Sequence, residues 1–227
     1  MNFTRKSAVL IAVGVSAITT IMALSTADAP SPLVYVTKPL ATLLLVLLAL
    51  TTHNPIATSY RWLIVGGLLA SVVGDILLML PSDRFIAGLG SFLVAHLLYL
   101  AAFASRAPLL RHRSAVIGYV AVATAVLAMV LPAVGGVLRT AIIGYVVVIT
   151  IMAAQSASWM LDESRSSSAR LAAVGAALFV ASDALLALDR FVTIVPMRDL
   201  LVLGTYWMAQ ACIAMSVQRP APPTLRL

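Results

Sequence analysis

The sequence predicts an all-α membrane protein, a polytopic bundle of eight transmembrane helices. Of its 227 residues, 62% are hydrophobic and 10% are charged, and the mean hydropathy is +1.05, which is too apolar for a soluble domain. Apolar runs of roughly 18 to 25 residues, each long enough to cross a hydrocarbon core of about 30 Å as a helix, recur along almost the whole chain.

Eight such runs occur, separated by polar or proline-rich segments. The predicted helices cover residues 7–24, 33–50, 61–80, 85–104, 114–131, 137–160, 170–188 and 199–217. The breaks carry loop residues, such as His53-Asn54-Pro55, Pro81-Ser82-Asp83 and the segment from Pro132 to Gly136. We expect residues 1–217 to form a single domain and the proline-rich residues 218–227 to be a disordered cytoplasmic tail.

Basic residues are unevenly distributed between the predicted loops. With a cytoplasmic N-terminus, the two tails and the even-numbered loops hold ten of the fifteen lysines and arginines. The positive-inside rule therefore predicts that both termini are cytoplasmic, in the inner (plasma) membrane of the cell. Because the net charge of +7 is spread over short loops that face anionic membrane lipids, we predict no nucleic acid partner. The sequence leaves the oligomeric state open.

Two aspartates occupy matching apolar segments. Asp75 lies in ASVVGDILLML (70–80) and Asp183 in LFVASDALLAL (178–188), 108 residues later. Four predicted helices separate the copies, so the chain is expected to contain two parallel repeats, 1–105 and 113–217. A carboxyl group inside a membrane helix costs about 2.5 kcal/mol or more unless it is paired or hydrated, so we interpret both aspartates as functional.

Other polar residues within the predicted helices fall in the same half of the membrane as the aspartates. Residues three or four apart share a helix face, and such pairs can point into one cavity. We therefore predict a polar intramembrane site that contains Asp75 and Asp183 together with Lys38, His96, Tyr99, Tyr206 and Gln210. Three dispersed histidines and a single cysteine, Cys212, do not form a ligand set, so neither a metal nor another cofactor is predicted.

These residues also carry a family resemblance. The ordered set of Lys38-Pro39, Gly74-Asp75, F-x2-G-x2-SF-x3-H-x2-Y (85–99), Ser182-Asp183 and Y-x3-Q (206–210) resembles the pattern of the YhhN-like integral membrane family, which includes the lysoplasmalogenases. The likeness extends over residues 35 to 216 and nominates the same seven polar residues as the lining of the site.

The resemblance implies an enzyme that hydrolyses the vinyl ether bond of a lysophospholipid, a lysoplasmalogen, to a fatty aldehyde and a glycerophospho-alcohol. This reaction needs one protonated carboxyl group, which protonates the alkene carbon, and one carboxylate, which stabilises the resulting cation or activates water. We prefer Asp75 as the acid and Asp183 as the carboxylate, and the two roles are exchangeable. Lys38 is expected to pair with a carboxylate or the phosphate, and the remaining nominated residues are expected to hold water and the glycerol oxygen.

Two alternatives remain open at this point. Parallel repeats with buried carboxylates are also typical of proton-coupled transporters of small molecules or lipids, in which both aspartates carry protons. A non-catalytic scaffold is the third hypothesis, in which the polar residues only fix the register of the helices.

Overall fold

The computed structural model describes residues 3–26, 31–80 and 84–219, and within these ranges the chain is helical with no strand. A single 3₁₀ turn, Leu131–Ala133, follows the fifth helix. The helices are α1 (Phe3–Ser25), α2 (Pro32–Leu50), α3 (Thr58–Met79), α4 (Phe85–Ala104), α5 (Arg113–Val130), α6 (Gly136–Asp162), α7 (Ser167–Phe191) and α8 (Arg198–Met215). Every predicted helix is present with bounds that differ by a few residues, so the predicted all-α class is confirmed.

Of the helices in the described ranges, α1 to α7 are long and apolar enough to cross a membrane. The last one, α8, has 18 residues, but Arg198, Asp199 and Gln210 make it less apolar. It packs along α7 and also contacts α1 and α2. The predicted eighth membrane helix is therefore present as a packed helix of the bundle, although its composition alone does not identify it as a span.

Local sequence explains several helix ends. Pro32 is the first residue of α2, where the missing N–H of proline costs no hydrogen bond. Ser166 precedes α7, and its hydroxyl accepts a hydrogen bond from the Ala169 N–H at 3.4 Å, as an N-cap residue does. Pro132 lies in the 3₁₀ turn that ends α5, since proline cannot continue the helical hydrogen-bond pattern.

Neighbouring helices in the chain pack against each other in both halves of the bundle, and α2–α8 and α4–α6 contacts join the halves. In the proposed repeats α2 corresponds to α6 and α4 corresponds to α8, so the α2–α8 contact is the counterpart of the α4–α6 contact. The repeat itself stays a prediction. α5 lies at the periphery, and Val130 is its only fully buried residue; the remainder of α5 presents an apolar surface of the kind that faces lipid.

Helices α3 and α4 pack closely at the residue that precedes Asp75. A Cβ atom added at Gly74 would lie 2.6 Å from Cε2 of Phe92, so only glycine lets α3 approach α4 this closely. Asp75 follows directly. Its carboxyl group is buried and is hydrogen-bonded to α2 and α8.

Both ends of the described chain meet at one end of the bundle. Lys6 donates a hydrogen bond from Nζ to Oε1 of Gln218 at 3.1 Å, and the Arg219 N–H donates to the Asn54 carbonyl at 2.8 Å. The first two residues of the predicted disordered tail are thus hydrogen-bonded to the bundle, and residues 220–227 lie outside the described ranges. The α7–α8 connection lies at the opposite end.

Candidate functional site

Asp75 is surrounded by partners suited to a carboxylate. It is 2% exposed, and Nζ of Lys38 lies 3.8 Å from its Oδ1 atom. The hydroxyl groups of Thr42 and Tyr206 donate hydrogen bonds to Oδ2 at 3.0 and 2.8 Å. An ammonium group and two O–H donors match an acceptor-only anion, so this environment suits the ionised form of Asp75.

Asp183 has a different environment. The hydroxyl of Tyr145 donates a hydrogen bond to Oδ2 of Asp183 at 2.5 Å, and Nε2 of His96 lies 4.0 Å from the same oxygen. Within the described part of the chain, Asp183 forms no ion pair with a lysine or arginine. Its side chain is 20% exposed, compared with 2% for Asp75. Asp183 is therefore the more accessible of the two aspartates, and its Oδ1 atom is available to a ligand in the cavity.

The partners of the two aspartates come from corresponding helices. Asp75 (α3) is contacted by the second helix of its own half through Thr42 and by the fourth helix of the other half through Tyr206. Asp183 (α7) is contacted by α6, the second helix of its own half, and by α4, the fourth helix of the other half. The two carboxyl groups thus occupy equivalent positions in the predicted repeats.

Both aspartates line one polar cavity of about 470 Å³. Lys38, Ser182 and Tyr206 contribute further polar atoms to its wall. Ser182 also donates a hydrogen bond to the Val202 carbonyl at 2.9 Å, which links α7 to α8 beside the cavity. A chamber of this size with two carboxyl groups accommodates the polar part of a small ligand.

An apolar cavity of about 80 Å³ lies next to the polar one, between α4, α5, α6 and α7. We call it the apolar groove, and its walls include Leu89, Tyr119, Val122, Ala123, Val126, Ile142, Val146, Ile149 and Val180. Asp183 lines both the groove and the polar cavity, as do Leu78, Phe85, Phe92 and Leu186. A carboxyl group therefore lies where an apolar channel meets a polar chamber.

The mouth of the polar cavity is charged and lies where α7 ends and α8 begins. Nε of Arg198 is 3.0 Å from Oδ2 of Asp189 and 3.9 Å from Oδ1 of Asp199. The guanidinium of Arg190 lies 4.3 Å from the centre of the Phe85 ring. All four charged residues line the cavity, at the end of the bundle opposite the described termini.

The remaining nominated residues lie behind the cavity wall. The Tyr99 hydroxyl donates a 2.7 Å hydrogen bond to Oε1 of Gln210, and both residues are fully buried. His96 is also fully buried, with its ring 4.6 Å from the ring of Phe179. Among the described residues, neither ring nitrogen of His96 has a hydrogen-bond partner. Four of the seven nominated side chains thus line the cavity (Lys38, Asp75, Asp183 and Tyr206), and three support it (His96, Tyr99 and Gln210).

Sequence analysis missed three further features of the site. Thr42 lies four residues after Lys38 on the same helix face, a spacing that signals a shared environment. Tyr145 has no such signal, because a single tyrosine in an apolar helix is usually a packing residue. Arg190 and Arg198 lie between the predicted helices, where a charge usually indicates only topology, but the structure places both at the cavity mouth.

Fold and site together define a multi-pass helical membrane protein with paired carboxyl groups in an intramembrane polar cavity. The YhhN family model matches residues 33–217. The chain belongs to the YhhN family.

Several relatives of the chain are named lysoplasmalogenase. The chain is 35% identical over 169 residues to lysoplasmalogenase TMEM86B of Rattus norvegicus, an alignment that covers 71% of this chain and 64% of the relative. It is 33% identical over 166 residues to a lysoplasmalogenase of Mycobacterium bovis, which covers 67% of this chain and 58% of the relative. The alignments thus span less than two thirds of these relatives' lengths.

A bacterial relative matches a shorter segment. An uncharacterized membrane protein YhhN of Escherichia coli is 43% identical over 72 residues, 32% of this chain and 34% of the relative. No solved structure matches the chain.

Proposed function

We propose that this protein is a lysoplasmalogenase, an intramembrane hydrolase that cleaves the vinyl ether bond of a lysophospholipid. The observation that carries the proposal is the position of Asp183 at the junction of the polar cavity and the apolar groove. A lysoplasmalogen has its vinyl ether bond at the corresponding point, between the polar glycerol unit and the alkyl chain. The names of the lysoplasmalogenase relatives support the same reaction. They provide no support for the transporter alternative.

In this proposal the alkenyl chain lies in the apolar groove. The α5 wall of the groove is at the periphery of the bundle, so a chain enters from the lipid between α5 and its neighbours. The glycerol unit and phosphate lie in the polar cavity, whose wall carries hydroxyl and charged groups. Each part of the amphiphilic substrate then meets surface of matching polarity.

Asp183 is proposed as the general acid. Its Oδ2 atom accepts the Tyr145 hydrogen bond, which leaves Oδ1 to carry the proton towards the substrate. This proton adds to the alkene carbon on the chain side of the double bond. The neighbouring carbon, which is bound to the ether oxygen, becomes an oxocarbenium ion, and Asp183 becomes a carboxylate.

Asp75 is proposed as the carboxylate that stabilises this cation. Lys38, Thr42 and Tyr206 are partners of an anion, whereas Asp183 has no comparable set within the described residues. The roles are thus exchanged relative to the preference drawn from sequence. Two carboxyl groups with different environments divide the acid and electrostatic functions in the manner of glycosidase pairs.

Water completes the reaction. Its oxygen bonds to the oxocarbenium carbon, and its released proton returns to the Asp183 carboxylate. The hemiacetal then collapses: the bond between that carbon and the glycerol oxygen breaks, the hemiacetal hydroxyl loses its proton, and the glycerol oxygen gains one. The products are a fatty aldehyde and a glycerophospho-alcohol, and one water is consumed.

His96, Tyr99 and Gln210 act through the cavity wall. His96 lies 4.0 Å from Asp183 and packs edge-on against Tyr145, with their ring centroids 5.2 Å apart. It therefore positions the acid and its tyrosine partner. The Tyr99–Gln210 hydrogen bond joins α4 to α8. It fixes the position of α8 along the bundle, so that Tyr206 stays within hydrogen-bond distance of Asp75.

We also propose the arrangement in the membrane. Both termini are cytoplasmic, because this orientation places the larger share of basic loop residues on that side, and the compartment is the inner (plasma) membrane. The bundle over residues 1–217 is one domain of two parallel repeats, an assignment supported by the equivalent contacts of Asp75 and Asp183.

The activity is tested with purified protein in detergent and a lysoplasmenylethanolamine substrate. Folded wild-type protein is expected to release aldehyde, and Asp75→Asn and Asp183→Asn are each expected to reduce the rate about 100-fold or more. Asp162→Asn is the matched control, since Asp162 pairs with His112 at the end of α6, away from the cavity. Absence of aldehyde from folded wild-type protein, or full activity of Asp183→Asn, would contradict the proposal.

A further inference from the structure

We propose that a second polar cavity, at the end of the bundle opposite the mouth of the first, binds a phosphate group. This terminal cavity has a volume of about 180 Å³, and its polar wall is formed by Lys6, Thr52, His53, Asn54 and Gln218. Among the described residues, it shares no lining residue with the polar cavity or the apolar groove. The phosphate site is therefore independent of the proposed hydrolase activity.

The wall of the terminal cavity offers hydrogen-bond donors and a positive charge. Nζ of Lys6 donates one hydrogen bond to Oε1 of Gln218 at 3.1 Å, and an ammonium group carries three N–H donors. The side-chain amides of Asn54 and Gln218 and the ring of His53 can donate as well. None of the described lining residues is an aspartate or a glutamate. A cation among neutral donors matches the acceptor oxygens of a phosphate.

Backbone hydrogen bonds fix the loop that contributes to the terminal cavity, the α2–α3 connection. The Arg219 N–H donates to the Asn54 carbonyl at 2.8 Å, and the Ile56 N–H donates to the Val217 carbonyl at 2.9 Å. The donor side chains of the cavity therefore lie on segments that the fold already holds together, which lowers the entropic cost of binding a ligand there.

Two helix ends oppose an anion at this place, but nearby cations outweigh them. α2 and α8 end beside the cavity, and the C-terminus of a helix carries roughly half a negative charge. Part of this charge is already satisfied, since the Thr52 hydroxyl donates to the Leu48 carbonyl at 3.0 Å. Arg61 and Arg219 donate to carbonyls of the α2–α3 connection, each at 3.4 Å. Together with Lys6 they make the potential at this end positive.

The terminal cavity lies at the depth of the phosphates of membrane lipids. The apolar helix α2 ends at Leu50, where a membrane-spanning segment reaches the headgroup region. Leu48 and Met215 add apolar surface to the cavity wall. A lipid headgroup at the membrane surface and a free phosphate from solution present the same chemical group to this wall. The ligand is therefore defined by its phosphate.

A phosphate in the terminal cavity is expected to attach α1 more firmly to the bundle. α1 packs mainly against α2 and α8, and Lys6 lies near its start. A ligand bound to both Lys6 and Asn54 links α1 to the α2–α3 connection. Because such a ligand binds only the folded chain, it stabilises the bundle by mass action.

The test measures thermal unfolding of the full chain in nonionic detergent, at constant ionic strength. The additives are inorganic phosphate, a short-chain phosphatidic acid and the matched diacylglycerol, which lacks the phosphate. The melting temperature of the wild type is expected to rise with a phosphate-containing additive and not with diacylglycerol. Lys6→Gln is expected to raise the apparent dissociation constant about tenfold, whereas Lys6→Arg keeps the charge and is expected to retain most of the effect.

Asn54→Ala is a second test that leaves Lys6 and its hydrogen bond to Gln218 in place. It removes a neutral donor and is expected to weaken binding severalfold, so the phosphate site is tested even where Lys6→Gln fails to fold. Arg113→Gln is the matched control. Arg113 is exposed at the start of α5, at the same end of the bundle, and does not line the terminal cavity; its response is expected to equal that of the wild type.

The additives also separate the two sources of phosphate. A rise with phosphatidic acid alone would identify a lipid headgroup site, and a rise with inorganic phosphate would identify a site open to the free ion. No rise with either, an equal rise with diacylglycerol, or an unchanged response in both Lys6→Gln and Asn54→Ala would overturn the phosphate site. Aldehyde release is not the readout, so failure of this site and failure of the proposed activity are distinguished.

Discussion

Tyr206 on α8 donates a 2.8 Å hydrogen bond to Asp75 on α3 and so ties the last helix of the described chain to a buried carboxyl group. This contact crosses between the two predicted repeats. The ring of Tyr206 also packs edge to face against Phe92 and Phe179, with centroids 5.8 and 5.6 Å apart. One residue therefore serves both as a donor to the carboxylate and as part of the cavity wall.

Tyr206→Phe separates these two roles. The substitution keeps the ring contacts and removes the donor, and a hydrogen bond to a charged group contributes about 1.5–3 kcal/mol. We expect kcat for aldehyde release to fall roughly tenfold to 100-fold, while the protein stays folded at the assay temperature. Tyr35→Phe, on an exposed part of α2, is the control and is expected to be silent. A fully active Tyr206→Phe enzyme would show that the hydroxyl has no role in catalysis.

The bounds of the helices show how much of the fold the sequence predicts. Hydrophobic runs broken by proline and charged residues located the helices to within a few residues, because transmembrane helices must satisfy their backbone hydrogen bonds internally and so have a nearly fixed length. The matched aspartates and the buried lysine were recognised for the same physical reason, since an ionisable side chain in such a run is costly.

The rest of the site depends on helix rotation and packing. Tyr145 reaches Asp183 only because α6 packs against α7, and a lone tyrosine in the sequence does not reveal this. Conversely, Tyr99 and Gln210 are buried polar residues that bond to each other behind the cavity. Their sequence pattern is the same as that of cavity-lining residues. The charged mouth was missed because loop charges usually set topology.

Lys38 and Asp75 are expected to depend on each other for stability. Asp75→Asn leaves a buried ammonium without its carboxylate, and we expect a loss of roughly 1–3 kcal/mol, less than for a dry pair because Lys38 lines the cavity. The double substitution Lys38→Met with Asp75→Asn removes both charges and is expected to recover most of this stability.

Thermal unfolding and aldehyde release together test this coupling. The double variant is expected to melt near the wild-type temperature and yet to be inactive, since it lacks the carboxylate that stabilises the cation. A double variant as unstable as the sum of both single variants would show that the 3.8 Å contact contributes nothing to folding.

The apolar groove is expected to select for the alkyl chain. Ala123 on α5 lines it, so Ala123→Trp fills the space that the chain would occupy. We expect KM to rise about tenfold for a long-chain lysoplasmalogen and less for a short-chain one. Ala121→Trp is the matched control, because Ala121 is an exposed residue of the same helix outside the groove. An equal rise in KM in Ala123→Trp and Ala121→Trp would show that the alkyl chain of the substrate does not bind in the apolar groove.

Gly175 is expected to be essential for the packing of α7 on α8. A Cβ atom at this position would lie 2.9 Å from the backbone carbonyl oxygen of Ala209 and 2.8 Å from Cγ1 of Ile213. A backbone atom cannot rotate away, so Gly175→Ala must separate the two helices and is expected to cost about 1–3 kcal/mol, or roughly 2–12 °C in melting temperature.

Because α7 and α8 carry Asp183 and Tyr206, the same substitution is expected to lower kcat even at temperatures where the protein stays folded. Gly144→Ala on α6 is the control, since a Cβ there meets no atom within 4 Å and alanine favours the helix. Thermal unfolding in detergent, measured alongside aldehyde release, distinguishes the two glycines. An unchanged melting temperature in Gly175→Ala would show that α7 and α8 are farther apart at this point than the 2.9 Å distance between the added Cβ and the Ala209 carbonyl oxygen indicates.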